Sequence, residues 1–271
     1  PEMSRGLGDV YKRQPRKGAM LFLHNTMSRI ALISDIHANL PALEAVMKDI
    51  EQLQCDAVYC LGDIVGYNAN PAECLEFVRG RQIPTVRGNH DEEAIGEDNP
   101  AGMNPVAYKA LMWTRQQLSE EQKKWLRRAP FQRILPNEIV LVHATQDKPN
   151  SWSYVTNVDT ATHSINMLRD NQFLCFNGHT HVPRTFIRHE GSIQEYESGD
   201  IQLLKTNKYL INVGSVGQPR DGDPRAAYGV LDVDSMVYYQ RRVEYDVEEA
   251  QRRILAAGLP EMLARRLGEG I

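Results

Sequence analysis

Apolar residues in this chain fall into two textures, and the change between them comes near Gly178. Before it lie short apolar runs with β-branched residues at 30–33, 57–61, 83–86, 139–142 and 173–176. Such runs, bounded by turn residues, predict buried strands. Between the first two, 41–54 carries Leu43, Val46, Met47, Ile50 and Leu53 at helical spacing behind Pro41, a residue suited to a first turn. A second helix opens at Pro71, with Cys74, Leu75, Phe77 and Val78 apolar. Repeated strand-loop-helix units predict a parallel sheet with right-handed crossovers and helices on both faces. Two more helices are expected at 104–118 and 119–128, where Ser119 with Glu121-Gln122 resembles a cap and charged first turn.

Beyond Gly178, alternating runs at 185–189, 192–196, 202–204, 209–213, 228–233 and 236–241 predict antiparallel strands that form a second sheet. The end, 247–267, is an amphipathic helical segment broken at Gly258 and Pro260. No repeat or linker divides the chain, so 27–271 reads as a single domain. Residues 1–26 read as a polar leader that joins no core, with Met27 or Met20 as the natural start. Within it, Asp9-Val10-Tyr11-Lys12-Arg13-Gln14 matches the translation of a sequencing-library adaptor.

Composition narrows the class. The 271 residues, 42% of them apolar, suffice for a large core. A net charge of -4 supplies no basic field for duplex nucleic acid or anionic membrane. No apolar stretch approaches the roughly 20 residues of a spanning helix. Cys55, Cys60, Cys74 and Cys175 lack C-x-x-C spacing and read as reduced core thiols of a cytoplasmic protein.

The candidate chemistry sits where the predicted strands end. Asp35 and His37, Asp63, Asn89, His143, and His179 with His181 fall in five blocks, each just beyond an apolar run. In open α/β sheets ligands bind at the carboxyl edge, so these residues are expected to meet in one crevice. Imidazole with carboxylate and amide oxygen, about four ligands per ion, suits two divalent transition metal ions drawn from Mn, Fe, Ni, Zn and Co. Such a pair, about 3.5 to 4 Å apart, can hold a bridging hydroxide and clamp phosphate oxygens during in-line attack. His90 is not needed as a ligand and is expected to protonate the leaving oxygen, with Asp91 or another carboxylate orienting its ring.

The blocks Asp35-Ile36-His37, Gly62-Asp63, Gly88-Asn89-His90-Asp91, His143 and Gly178-His179-Thr180-His181 resemble the motif set of the calcineurin-like metallophosphoesterase superfamily. The resemblance runs from about Met27 to Val233. It implies an α/β fold, a two-sheet β-sandwich flanked by helices in four α/β/β/α layers. It also implies that Asp35, His37, Asp63 and His181 hold one metal while Asp63, Asn89, His143 and His179 hold the other, with His90 as general acid. Finer features, Gly62 to Tyr67 and Asn212 to Arg220, look like a prokaryotic branch related to diadenosine tetraphosphatases and serine/threonine phosphatases. Eukaryotic-type protein phosphatases carry an arginine where this chain has Gly66 and Tyr67, which favours a small phosphodiester, phosphomonoester or nucleotide substrate over a phosphoprotein.

The remaining candidates each have two readings. Asn39 contacts substrate phosphate or caps the helix near Pro41. Trp152 and Tyr154 stack a nucleobase or pack against the fold. Arg220 meets a phosphate bidentately or forms a surface ion pair. Arg87 is expected to pair with a carboxylate, and Arg252-Arg253 and Arg265-Arg266 to line solvated helix faces. The alternatives to a small-molecule phosphoesterase are a serine/threonine protein phosphatase and a non-catalytic, metal-stabilised interaction module. Oligomeric state is left open.

Overall fold

The computed structural model describes residues 28–98 and 103–271, so the expectations for residues 1–26, Met20 and Met27 lie outside the described residues. The chain runs β1 (Arg29–Ile33), α1 (Leu40–Gln52), β2 (Ala57–Cys60), α2 (Pro71–Gly80), α3 (Asn89–Ile95), α4 (Pro105–Gln117) and α5 (Glu120–Arg128). It continues through β3 (Gln132–Ile134), β4 (Val140–Val142), α6 (Val158–Asn166), β5 (Leu174–Asn177), β6 (Arg184–His189) and β7 (Ser192–Glu197). The last elements are β8 (Ile201–Gln202), β9 (Lys208–Asn212), β10 (Ala226–Asp232), β11 (Val237–Val243), α7 (Val247–Ala256) and α8 (Glu261–Glu269).

Two mixed sheets result, ordered β2-β1-β10-β11-β8 and β3-β4-β5-β9-β6-β7. Side-chain alternation along β1 explains the layering, because successive residues of a strand face opposite sides. Ile30 and Leu32 join a core with Leu141, Phe176, Ile211 and Leu231 between the sheets, whereas Ala31 and Ile33 face Val46, Leu75 and the helices beyond. The second sheet repeats the division: Leu141 points inward, and Val140 and Val142 pack on Ala161 and Ile165 of α6. The layers are therefore helix, sheet, sheet, helix. No helix of the described residues is long and apolar enough to cross a membrane.

Three expectations need correction. The strands beyond Gly178 do not form a sheet of their own: β6, β7 and β9 extend the second sheet, while β10 pairs antiparallel with β1 and draws β11 and β8 into the first. Among the named strands parallel pairing joins β1 with β2 and β4, β5 and β9, and each sheet has helices on one face because its other face meets its partner sheet. The run at 83–86 makes a single bridge, Thr85 with Cys60. Pro84 has no N–H to extend the ladder, and Arg87 N–H already turns away to the Pro130 carbonyl at 2.8 Å.

Helix ends follow their local chemistry. Asn39 Oδ1 accepts from Ala42 N at 3.2 Å to open α1. Ser119 and Gln122 form the expected capping box of α5, each side chain taking the other's backbone N–H at 3.2 and 2.9 Å.

Candidate metal centre

All seven predicted ligands converge at the carboxyl ends of β1, β2, β4 and β5 and at the start of α3. The loops that carry them bond to one another: Asp35 N to Gly62 O at 3.0 Å, His37 N to Asp63 O at 2.9 Å, and Gly178 N to His143 O at 2.9 Å. Five ligands sit in the left-handed backbone region, Asp35 (φ 53°), His37 (46°), Asp63 (53°), His179 (68°) and His181 (62°). That conformation costs a non-glycine residue on the order of 1 kcal/mol and persists only where its surroundings over-determine it. Space is equally restricted. A Cβ at Gly88 would collide with the Asp63 carboxylate, and one at Gly178 with Ser34 and the Asp35 carboxylate. Gly88 and Gly178 are thus required by close approach.

The side chains form three overlapping buried groups, Asp35 with His37 and His181, Asp63 with His143 and His179, and His37 with Asp63 and His90. His181 Nε2 lies 3.2 Å from Asp35 Oδ1, and His143 Nε2 lies 3.3 Å from both Asp63 Oδ2 and Asn89 Oδ1. His37 Nε2 joins the groups, 3.7 Å from Asp35 Oδ1, 3.6 Å from Asp63 Oδ2 and 2.9 Å from His181 Nε2.

Where the ring protons sit decides what these distances mean. His37, His143 and His181 donate through Nδ1 to the carbonyls of Val65 (3.1 Å), Leu61 (2.8 Å) and Gln218 (2.6 Å). In the neutral ring, each Nε2 then presents a lone pair to the centre. His179 is reversed, with Nε2 donating to Trp152 O at 2.9 Å, so its Nδ1 faces inward. Asp35 Oδ2 accepts from His179 N at 3.0 Å and Asp63 Oδ1 from His90 N at 2.8 Å. Their other oxygens, Asp35 Oδ1 and Asp63 Oδ2, are buried without a hydrogen-bond partner. Lone pairs face lone pairs, and a buried set of acceptors needs a cation between them. The residues fit divalent metal, with the outer carbonyls fixing each imidazole as an outer shell does.

Charge agrees with that fit. Burial pulls His181 down to about 3 and His179 to about 4, so both are neutral, ligand-ready imidazoles at neutral pH. Burial opposes ionisation of Asp35 and Asp63, but the surrounding imidazoles, led by His181 for Asp35 and His143 for Asp63, hold both below the usual carboxylate range. His143 goes the other way. Burial lowers it, yet Asp63 beside it raises it to about 9, a proton that a metal ion would displace.

His90 lies at the rim, with its ring 5.0 Å from that of His37 and 4.4 Å from that of Tyr67. Burial pulls it down to about 3, opposed by Asp63. Of the two options for the carboxylate beside His90, Asp91 or another, the structure has the second. Asp91 instead accepts from the backbone N–H groups of Asp63 (2.8 Å), Ile64 (2.9 Å) and Gly88 (3.1 Å), which locks the two ligand loops together. The carboxylate beside His90 is Glu93, 3.7 Å from Nδ1. Sequence reasoning did not name it because no helix was expected at Asn89; the block opens α3, where residues three apart share a face.

The other candidates separate. Asn39 is the helix cap, with its amide also donating to Gly217 O at 2.9 Å and 1% of its surface exposed, so no atom is left for a substrate. Trp152 touches the centre through its backbone carbonyl to His179. Tyr154 is exposed and stacks on His179 at 4.2 Å with the planes 19° apart. Arg220 donates its backbone N–H to His181 O at 3.2 Å and its guanidinium to Gln218 Oε1 at 2.9 Å. Arg87 pairs with Glu92 at 2.6 Å. Of the expected solvated pair, Arg265 pairs with Glu269 at 2.7 Å, but Arg266 turns inward over Tyr67.

Comparison with known proteins agrees with this geometry. Residues 28–236 match the family model for the calcineurin-like phosphoesterase superfamily domain. An uncharacterized protein of Methanocaldococcus jannaschii is 38% identical over 243 residues, 89% of this chain and 97% of that protein. The crystal structure of a metallophosphoesterase from Sphaerobacter thermophilus, 39% identical, superposes over 90% of this chain and 99% of that one with a TM-score of 0.78. A hypothetical protein of Pyrococcus horikoshii, 21% identical, shares the fold with a TM-score of 0.74 over 90% of this chain and 98% of its own. This chain belongs to the calcineurin-like phosphoesterase superfamily.

Proposed function

We propose that the protein is a binuclear metal-dependent phosphoesterase acting on a small phosphate ester. The observation that carries this reading is the pair of buried carboxylate oxygens, Asp35 Oδ1 and Asp63 Oδ2, that lack a hydrogen-bond partner and are set among inward-facing imidazole nitrogens. Asp35, His37, Asp63 and His181 would hold one ion and Asp63, Asn89, His143 and His179 the other, Asp63 serving both. Bound divalent ions supply a lowered pKa for water and a clamp on phosphate oxygens.

The chain's own groups do the rest. The carbonyls of Val65, Leu61, Gln218 and Trp152 keep the four imidazoles in one tautomer and orientation. His90, which is needed by neither ion and has Glu93 3.7 Å from its Nδ1, would hand a proton to the departing oxygen. The negative charge of a bound phosphate raises the proton affinity of an imidazole that burial alone keeps neutral.

A hydrolysis screen of the metal-reconstituted protein tests the reading, with bis-p-nitrophenyl phosphate, p-nitrophenyl phosphate, cyclic nucleotides, dinucleoside polyphosphates and phosphopeptides as substrates. Turnover of small esters is expected. A fully metallated sample that cleaves none of them refutes it in favour of an interaction module. Asp63→Asn should lose both metal and activity. His90→Ala should keep its metal while kcat falls about 10²- to 10⁴-fold, most with poor leaving groups; equal turnover of a poor leaving group would exclude His90 as the acid.

A further inference from the structure

Beside the metal centre a cavity of about 210 Å³ is lined by Tyr67, Val106, Arg220, Met262 and Arg266, with Asn104 at its edge. Tyr67 joins cavity and centre. Its ring lies 4.4 Å from the His90 ring and 4.7 Å from the His37 ring, while the guanidinium groups of Arg220 and Arg266 lie 5.6 and 6.0 Å from the same ring. The backbone N–H of Arg220 bonds to the carbonyl of the ligand His181, so the loop that carries this arginine is tied to the centre.

The two guanidinium groups have few partners of their own, Gln218 Oε1 for Arg220 and the Ile271 backbone oxygen for Arg266. Among the described residues neither is ion-paired with an aspartate or glutamate, in contrast to Arg265 next door. Arg220 Nε is buried with no hydrogen-bond partner. Arg266 donates through Nε to the Ile271 carbonyl at 2.5 Å, which leaves its terminal nitrogens for a ligand. Burial and the charge of Arg220 both work against the charged form of Arg266. The first turn of the 13-residue α4, Asn104 to Ala107, adds the positive end of a helix at the same wall. Partly buried like charges at a helix N-terminus, paired with no aspartate or glutamate among the described residues, form a site for an anion.

We propose that this cavity takes a phosphoryl group one or two units beyond the one at the metal centre, so that the protein selects substrates with a polyphosphate chain over those with a single phosphate. The inference rests on the phosphoesterase reading and deepens it. Arg220 meets the chain nearer the metals and Arg266 its far end, with Tyr67 as the wall between. One water is consumed: its oxygen bonds to phosphorus, the P–O bond to the departing group breaks, and that group leaves with the electron pair and a proton from His90 where it is basic enough.

Two probes differ in phosphate count but not in their nucleosides: diadenosine tetraphosphate and adenylyl-(3′,5′)-adenosine, which has one phosphodiester. The metal-loaded wild type should favour the tetraphosphate. In Arg266→Gln and in Val106→Asp the ratio of kcat/KM between the two should fall about tenfold, mainly through KM, as expected when one charge-assisted hydrogen bond is lost. Arg266→Lys should retain part of the preference. A wild type without the preference, or a ratio equal in all these proteins, overturns the inference. Calorimetric titration of chelator-treated protein with inorganic tripolyphosphate is the arm independent of turnover, and Arg266→Gln should bind about tenfold more weakly. Equal binding overturns the cavity's role. Arginine-dependent binding in a protein that hydrolyses no phosphate ester overturns the phosphoesterase reading and leaves the anion site standing.

Discussion

Asp91 shows how far a residue's task can differ from what its neighbours in sequence imply. Adjacent to His90, it looks like that histidine's partner, yet its carboxylate holds four backbone N–H groups of the ligand loops, those of Asp63, Ile64, Val65 and Gly88. Asp91→Ala strands those buried donors, each worth roughly 1 kcal/mol or more. The expected result is a fall in unfolding stability of about 3 kcal/mol or more with loss of bound metal, read by denaturant titration and elemental analysis. Intact metal with lowered kcat alone would restore Asp91 as the partner of His90. The clustering of the candidate ligands was legible, because donor chemistry is written in residue type and in position after a strand. The partners of the ligands were not. Val65, Leu61, Gln218 and Trp152 act through backbone carbonyls, which every residue carries.

Elements were legible where their pattern was strong. The α1 stripe and the Ser119 cap are local signals, and both appear as expected. Helices α3 and α6 escaped notice because they are short and bury few apolar side chains, Ala94 and Ile95 in the first, Ala161 and Ile165 in the second. Asn39 illustrates the choice between cap and contact at this scale. With both ends of its amide engaged, Asn39→Ala should destabilise the protein by about 1 to 2 kcal/mol, with KM for phosphate esters at the wild-type value. Urea melts and steady-state kinetics check this; a raised KM with unchanged stability would return Asn39 to the substrate.

At the scale of the molecule, the proposed metal centre, with its strained loops and facing lone pairs, would make metal part of the folded state's stability. Metal at a hundred times its Kd stabilises by about 2.7 kcal/mol per site, so chelation should lower Tm by about 5 to 10 °C for each site in a chain of this size. Differential scanning calorimetry before and after chelation, with metal restored as the control, measures it. An unchanged Tm would mean that the acceptor cluster is tolerated empty. The sequence by itself determined the donor set, its order along the chain and most strands and helices, since each depends on residues near one another. The tertiary structure alone decided that β10 returns to pair with β1, that Glu93 rather than Asp91 lies beside His90, and that Arg266 turns from the helix surface toward Tyr67. Periodicity reports which face of an element is buried. What that face meets is settled by packing between segments far apart in the chain.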